Sequence, residues 1–481
     1  MLIHQLPIAV ESSLLDLAKR TEKLTFVKMV KRLRSMSFEE LGSARGMQAG
    51  FLTNPRSLQA QSTNKKIKIE EYYLSRLLEL EEDSLFTFPY NIDSPGTGQM
   101  RTVQLGRVLS HSNGVLGRGT TIVRVECACA RNLCCREGCN WAKKKLAMKL
   151  SFTGTSRVSE HVFMEKCKEL ATGDHAWVLN HLPKIYCSFD IPFHDESPQE
   201  RMCAKFGKIY QRRVVRGMIQ EELKPLSSLK TARECAQVFY DVVQCHHWVW
   251  KYPKILHRDI SQGNIMVREK GGVKYGVLND WDLASSVDSP SQGPTSQFRT
   301  GTKPYMAYEQ QDPDWTGPPR YRHDLESVFY VMTLFTFLYS SPREKVPEPF
   351  QQKHQFQKWH QRDDTALRQA KFELLHMANW RPPVTKFFEN FSWWLRMIQR
   401  RFSDGLSQLR ECTAERWPSG HGFLENSTSL EEDFDEDTLG GHVSFDNIVL
   451  IMYDFAGQRL ETYDPACQQI VSNFESKLSR Q

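Results

Sequence analysis

Apolar residues recur along this chain in two manners, short β-type runs first and helical stripes afterwards, and they predict an α+β fold. From Val103 to Ser151 the residues are β-rich: VLGRGTTIVRVE (Val115–Glu126) reads as a glycine turn between strands, and KLAMKLS (Lys145–Ser151) as a strand with Lys149 near its end. The segment Ser156–Thr172 predicts a helix whose inward stripe is Phe163, Cys167 and Leu170. Tyr210–Pro225 reads as another strand, with a connection at Met218–Glu222. Thr231–Trp250 then predicts an amphipathic helix on Ala232, Cys235, Ala236, Phe239, Val242 and Val243, ending near His246 and His247. A short apolar strand, Gly276–Leu278, and an apolar helix, Tyr321–Tyr339, follow.

The flanks read more simply. Residues 1 to about 100 form an arm with helices predicted near Leu24–Phe38 and Ile67–Glu82, separated by a polar linker, Thr53–Lys66. After Tyr339 the chain is helical and aromatic to about Leu409. The acidic run Leu430–Asp437 is expected as a solvated loop, and Phe445–Phe474 as a helical element that docks back.

Composition excludes more than it selects. With 40% apolar and 25% charged residues, the 481-residue chain has the make-up of a globular protein with a sizeable core. Its net charge of +6 is small for the length, so neither nucleic acid nor an anionic membrane is an expected partner; KMVKRLR (Lys28–Arg34) reads as a solvated helix face. The apolar run Val328–Tyr339 is too short to span a bilayer. The first residues, MLIHQLPIAVESS, lack the basic and apolar regions of a secretion signal, so a cytoplasmic or nuclear protein is expected. The 12 cysteines are then expected mostly as thiols. Five of them fall within Cys127–Cys139, CACARNLCCREGC, a spacing unlike paired metal-binding knuckles and more suited to a surface insertion.

The chemistry concentrates in Leu256–Ala284, LHRDISQGNIMVREKGGVKYGVLNDWDLA. Asp259 is followed five residues later by Asn264, and Asp280 comes sixteen after that. A turn and a strand pair can bring Asn264 and Asp280 together as oxygen ligands of one Mg²⁺ beside Asp259 as base, the arrangement phosphoryl transfer requires. Gly117 and Gly119 would let backbone amides approach phosphates, although Ile122 stands where a third glycine is usual and a lone GxG also suits a hairpin.

This block resembles the protein-kinase signature, with Asp280-Trp281-Asp282 in the place of Asp-Phe-Gly. Further elements follow in kinase order. Lys149 resembles the lysine that holds the nucleotide phosphates. RTGTKPYMAYE (Arg299–Glu309) resembles the end of an activation segment, with Tyr308 replacing the usual proline of Ala-Pro-Glu. Asp324 resembles the aspartate that ties its helix to the catalytic loop. The run HRDIS.GNIM, D.DLA, RTGT.P.MA and RYRHDLES.FYV is similar to the fungal-type protein kinase family, most strongly from about Lys145 to Ser340.

The resemblance implies a two-lobed fold: arm and linker at 1–100, N-lobe at 101–222 with the cysteine-rich insertion at 127–139, C-lobe at 223–410, and an extension at 411–481. It implies ATP and Mg²⁺ as cofactors and a protein substrate, with a serine or threonine hydroxyl as acceptor. Asp259 would be the base, Lys149 would pair with Glu160 (preferred) or Glu165, and Asn264 and Asp280 would hold metal. Glu221 lies in the adenine-binding connection. Arg258 would meet a phosphorylated activation segment, for which Thr295, Ser296, Thr300 and Thr302 are candidate acceptors, or make a structural hydrogen bond.

Two departures matter. Ser261 stands where serine/threonine kinases usually carry lysine, and Asp282 replaces the flexible glycine, either joining the metal or restricting the segment. The alternatives are a small-molecule phosphotransferase of the aminoglycoside or choline kinase type, against which Arg258 and RTGTKPYMAYE stand, and a nucleotide-binding pseudokinase scaffold.

Overall fold

The computed structural model describes residues 52–53, 82–89, 100–111, 119–128, 139–191, 203–204, 212–288, 301–312, 314–347, 356, 359, 364–415 and 434–480. The expected helix at Leu24–Phe38, nearly all of Ile67–Glu82 and of the linker, the basic run Lys28–Arg34, Gly117, three of the clustered cysteines, and Thr295, Ser296 and Thr300 lie outside the described residues. The chain divides into two compact units. One ends at His161 and resumes over Lys184–Glu222; the other comprises Val162–Pro183 and begins again at Leu223.

The first unit is built on one antiparallel sheet. Its strands are β1 (Leu52–Thr53), β2 (Leu85–Pro89), β3 (Met100–His111), β4 (Thr121–Cys127), β5 (Leu146–Gly154), β6 (Ile185–Ile191) and β7 (Arg213–Glu221), in the order β1-β2-β3-β4-β5-β7-β6. In β4 the alternation is clean, with Val123 and Val125 buried and Ile122 and Arg124 only half so. β5 is buried along its whole length, so its lysine is carried into the interior among apolar neighbours. The core gathers Phe86, Val103, Val123, Met148, Leu150 and Ile219. Gly217 of β7 stands opposite Phe189 of β6, and a Cβ there would lie 2.1 Å from the ring. Only glycine allows that approach.

Helix α1 (Glu160–Leu170) starts later than expected, its first residue being the glutamate itself. Phe163 and Cys167 are buried, but Leu170 is exposed and Met164 takes its place inside. The buried arc is centred between Phe163 and Met164, which puts Leu170 at its edge.

The second unit is mostly helical: α2 (Ala232–Lys251), α3 (Tyr321–Leu338), α4 (Asp364–His376), α5 (Phe391–Glu415), α6 (Phe445–Met452) and α7 (Pro465–Leu478). Its small strands are β8 (Lys224–Pro225), β9 (Ile255–Leu256), β10 (Ile265–Lys270), β11 (Val273–Leu278) and β12 (Ser285–Ser286); β10 pairs with β11 and β8, and β9 with β12. Thr231 caps α2 through a capping box with Glu234.

The amphipathic reading of α2 is incomplete, because Asp241, Gln244, His246 and His247 are buried along with its apolar stripe. Chain from 458 to 464 covers part of that second face, where Gln237 Nε2 donates to Glu461 O at 3.0 Å, Tyr463 N to Gln244 Oε1 at 2.9 Å and Arg233 Nη2 to Arg459 O at 2.7 Å, while Asp241 accepts from Gly276 N at 2.8 Å and His246 meets Asp324. Protein partners thus stand in for the expected solvent. The segment Phe445–Phe474 is likewise two helices, α6 and α7, with a short hairpin between them. The last residues of the acidic run are anchored, since Arg320 pairs with both Glu436 and Asp437. No helix among the described residues is long and apolar enough to cross a membrane.

Candidate functional site

In the first unit, β5 places Lys149 between Ile122 of β4 and Met218 of β7. Its Nζ donates to Glu160 Oε2 at 2.8 Å, and both side chains are buried. Glu165 and Glu169 face outward on the same helix. A buried lysine ammonium needs such a carboxylate to remain charged, and the pair holds the ammonium at one position in the strand. Gly119, just before β4, has φ +55°, a left-handed conformation suited to glycine. At the end of β7, Glu221 N donates to Lys184 O (3.0 Å) and Glu222 N to Lys145 O (2.9 Å). Neither N–H is therefore open to a nucleotide.

In the second unit the catalytic-type loop follows β9. Asp324 of α3 is fully enclosed and accepts from two successive backbone amides, His257 N at 2.9 Å to Oδ2 and Arg258 N at 3.0 Å to Oδ1, while His246 Nε2 lies 2.8 Å from Oδ2. Although burial opposes it, the contact with His246 leads the interactions that hold the Asp324 carboxyl below its ordinary value. The bracing lets Arg258 adopt φ +66°, a backbone conformation uncommon for arginine. Burial lowers the Arg258 pKa against the opposing charge of Asp324.

His257 ties the loop to the next strand pair. Burial pulls its imidazole down to about 4, so the ring is neutral, donating from Nε2 to Asn279 O (3.1 Å) and accepting at Nδ1 from Asp259 N (3.2 Å). Asn264 Nδ2 donates to Asp259 O at 2.7 Å, and Asn279 N donates to Asn264 O at 2.8 Å, which locks Asp259, Asn264 and the start of Asp280-Trp281-Asp282 into one network. With its amide nitrogen so engaged, Asn264 turns its Oδ1 away as an acceptor. Asp280 sits at φ +65° and its Oδ1 receives Asp282 N at 3.4 Å. An amide oxygen and a carboxylate from adjoining strand ends fit a hard cation such as Mg²⁺.

Asp259 itself is held from its other side. Thr302 N and Thr302 Oγ1 both donate to Asp259 Oδ1, each at 2.8 Å. The hydroxyl read from sequence as a phosphorylation candidate is thus committed to Asp259. The following residues are fixed in turn. Glu309 bonds Arg322 (2.7 Å) and His323 (3.0 Å); against the effect of burial, His323 and Arg322 hold its carboxyl at about 2. Tyr308 N donates to Glu326 Oε1 at 2.8 Å, an oxygen that also receives the Tyr330 hydroxyl. No local pattern announces these anchors, whereas the bonds from His257 N and Arg258 N to Asp324 match the tie between helix and loop that the resemblance implied.

Residues 183–336, which carry this whole network, match the family model described as "Fungal protein kinase". The matched stretch is about a third of the chain, and over it the chain is similar to that family. It is also similar to the "Probable serine/threonine-protein kinase PknB" of Bifidobacterium longum (strain NCC 2705), 32% identical over 97 residues, which is 20% of this chain. The chain matches 14% of that relative's length. The α+β fold, a sheet-rich unit followed by a helical one, agrees with that likeness.

Proposed function

We propose that this protein is an ATP-dependent protein kinase that phosphorylates serine or threonine hydroxyls. The reading rests above all on Asp259, whose Oδ1 is held by Thr302 N and Oγ1 and whose backbone is tied to Asn264, beside Asp280. A transferring phosphoryl group needs alignment and charge neutralisation more than covalent help. Asp259 would orient the hydroxyl and take its proton. Lys149, held by Glu160, would bind phosphate oxygens of ATP. Asn264 and Asp280 would hold Mg²⁺, which when bound supplies the remaining positive charge.

Ser261 leaves the position usually filled by lysine without a cation, so the metal and Lys149 carry more of the neutralisation. Asp282 N on Asp280 Oδ1 favours a role in fixing the aspartate's orientation. A protein acceptor, as against a small molecule, is favoured by the bracing of residues 301–312 on α3, which gives the space beside Asp259 a preformed wall. On this reading 101–222 and 223–410 are the two lobes and 411–481 an extension.

Intact mass after incubation with ATP and Mg²⁺ tests the reading, with Asp259→Asn treated alike. Phosphoryl gain by the natural protein and a 10²–10⁴-fold slower gain by the variant are expected for loss of a general base. No gain by either protein, with no transfer to protein acceptors, sinks it.

A further inference from the structure

Lys371 of α4 is completely buried, and its place in the kinase reading is unassigned. Its Nζ donates to Lys303 O at 3.1 Å and to Met306 O, and lies 4.7 Å from the Tyr330 ring centre and 5.3 Å from that of Trp359. The two carbonyls belong to one turn: Tyr305 N and Met306 N both donate back to Thr302 O, at 2.9 and 3.2 Å. That turn therefore has Asp259 bonded at its first residue and Lys371 bonded to the carbonyls of its second and fifth. Gln311 Nε2 adds a neutral bond to Lys303 O at 2.8 Å.

We propose that Lys371 is a positioning residue that clamps the Thr302–Met306 turn, fixing both the Asp259 carboxylate and the surface an acceptor segment must lie against to reach it. The physical argument is one of cost and placement. Burial lowers the Lys371 pKa to about 7, and the carbonyl oxygens and aromatic faces aimed at its Nζ replace the hydration that the ammonium form loses. Charge-assisted bonds to two carbonyls of a single turn fix that turn more firmly than neutral bonds would. The lysine stem, enclosed on α4, adds a buried anchor to a turn otherwise held by Thr302 on Asp259, Gln311 on Lys303 O and the exposed Lys303–Asp364 pair at 2.7 Å. Displacement at Lys371 passes through three residues to Thr302 and so to Oδ1 of Asp259.

This inference rests on the kinase reading for its catalytic consequence, and the test separates the two. Lys371→Met is compared with the natural protein by steady-state kinetics on a serine-containing peptide or protein acceptor and by amide hydrogen exchange. Expected are a roughly tenfold or greater rise in acceptor KM with ATP KM within twofold, and at least tenfold faster exchange over 301–308 with α3 unchanged. Equal losses for ATP and acceptor, or faster exchange throughout α3 and α4, overturn the clamp in favour of a packing role. Should Lys371→Met not fold, Lys371→Gln keeps an N–H donor and is expected to show the same split in weaker form; unchanged acceptor KM and exchange there also overturn it. A natural protein that transfers nothing refutes the kinase reading, and the exchange data still decide the clamp.

Discussion

His257 carries no charge in the folded protein, and its stability therefore depends on pH in a defined direction. Burial lowers its pKa from about 6.5 to about 4; burial likewise lowers His181 to about 4 and His247 to about 3. Below about pH 6.5 the unfolded chain takes up protons that the folded chain refuses, so stability present above that pH is lost as it falls toward 4. Each such histidine is worth on the order of 3 kcal/mol across the window. Burial raises the Asp241 and Glu326 carboxyls to about 8 and about 7, which opposes this trend in overall stability, so the rings themselves are read by NMR titration: they should still be neutral at pH 5, and midpoints near 6.5 would mean that they titrate freely in the fold. Asp324→Ala should cost about 3–5 kcal/mol, because two buried backbone amides and His246 lose their acceptor together. Urea unfolding checks this, and a loss below 1 kcal/mol would show that water replaces the carboxylate. At this scale Asp259, Asn264, Asp280 and Lys149 were legible because kinase-like spacing marks them. The tautomer of His257 was not, since it is set by Asn279 O, across the β10–β11 hairpin.

Elements were legible where a local rule decides them. The Thr231-x-x-Glu234 pattern announces the start of α2, and Thr231→Ala should cost about 1 kcal/mol in thermal or urea unfolding. Alternation in β4 and the apolar run of β5 announce strands of the sheet. What periodicity could not show is which polar face meets protein instead of water, as on α2, or where a helix arc ends, as at Leu170. Gly217 is a case of sequence silence: a glycine inside a strand reads as a weakness, whereas here it admits the Phe189 ring. Gly217→Ala should destabilise the first unit by roughly 1–3 kcal/mol through overpacking. A neutral outcome by calorimetry would mean the ring swings aside at no cost.

At the scale of the molecule, the likeness to fungal protein kinases was readable from ordered motifs between about Lys145 and Ser340, and the match at 183–336 falls inside that span. The remainder has no such register, and the part played by the C-terminal chain emerges only from contacts. Tyr240 OH meets Thr462 Oγ1 at 3.1 Å across 222 positions, and Gln244 Nε2 meets Glu461 O across 217. Such separations have a consequence during synthesis. At roughly 5–20 residues per second, α2 is made about 10–45 s before the segment that covers it. For that interval Tyr240 and Gln244 have yet to meet the residues that cover them, so a chain stopped before Glu461 would leave this side of the helix bare to water.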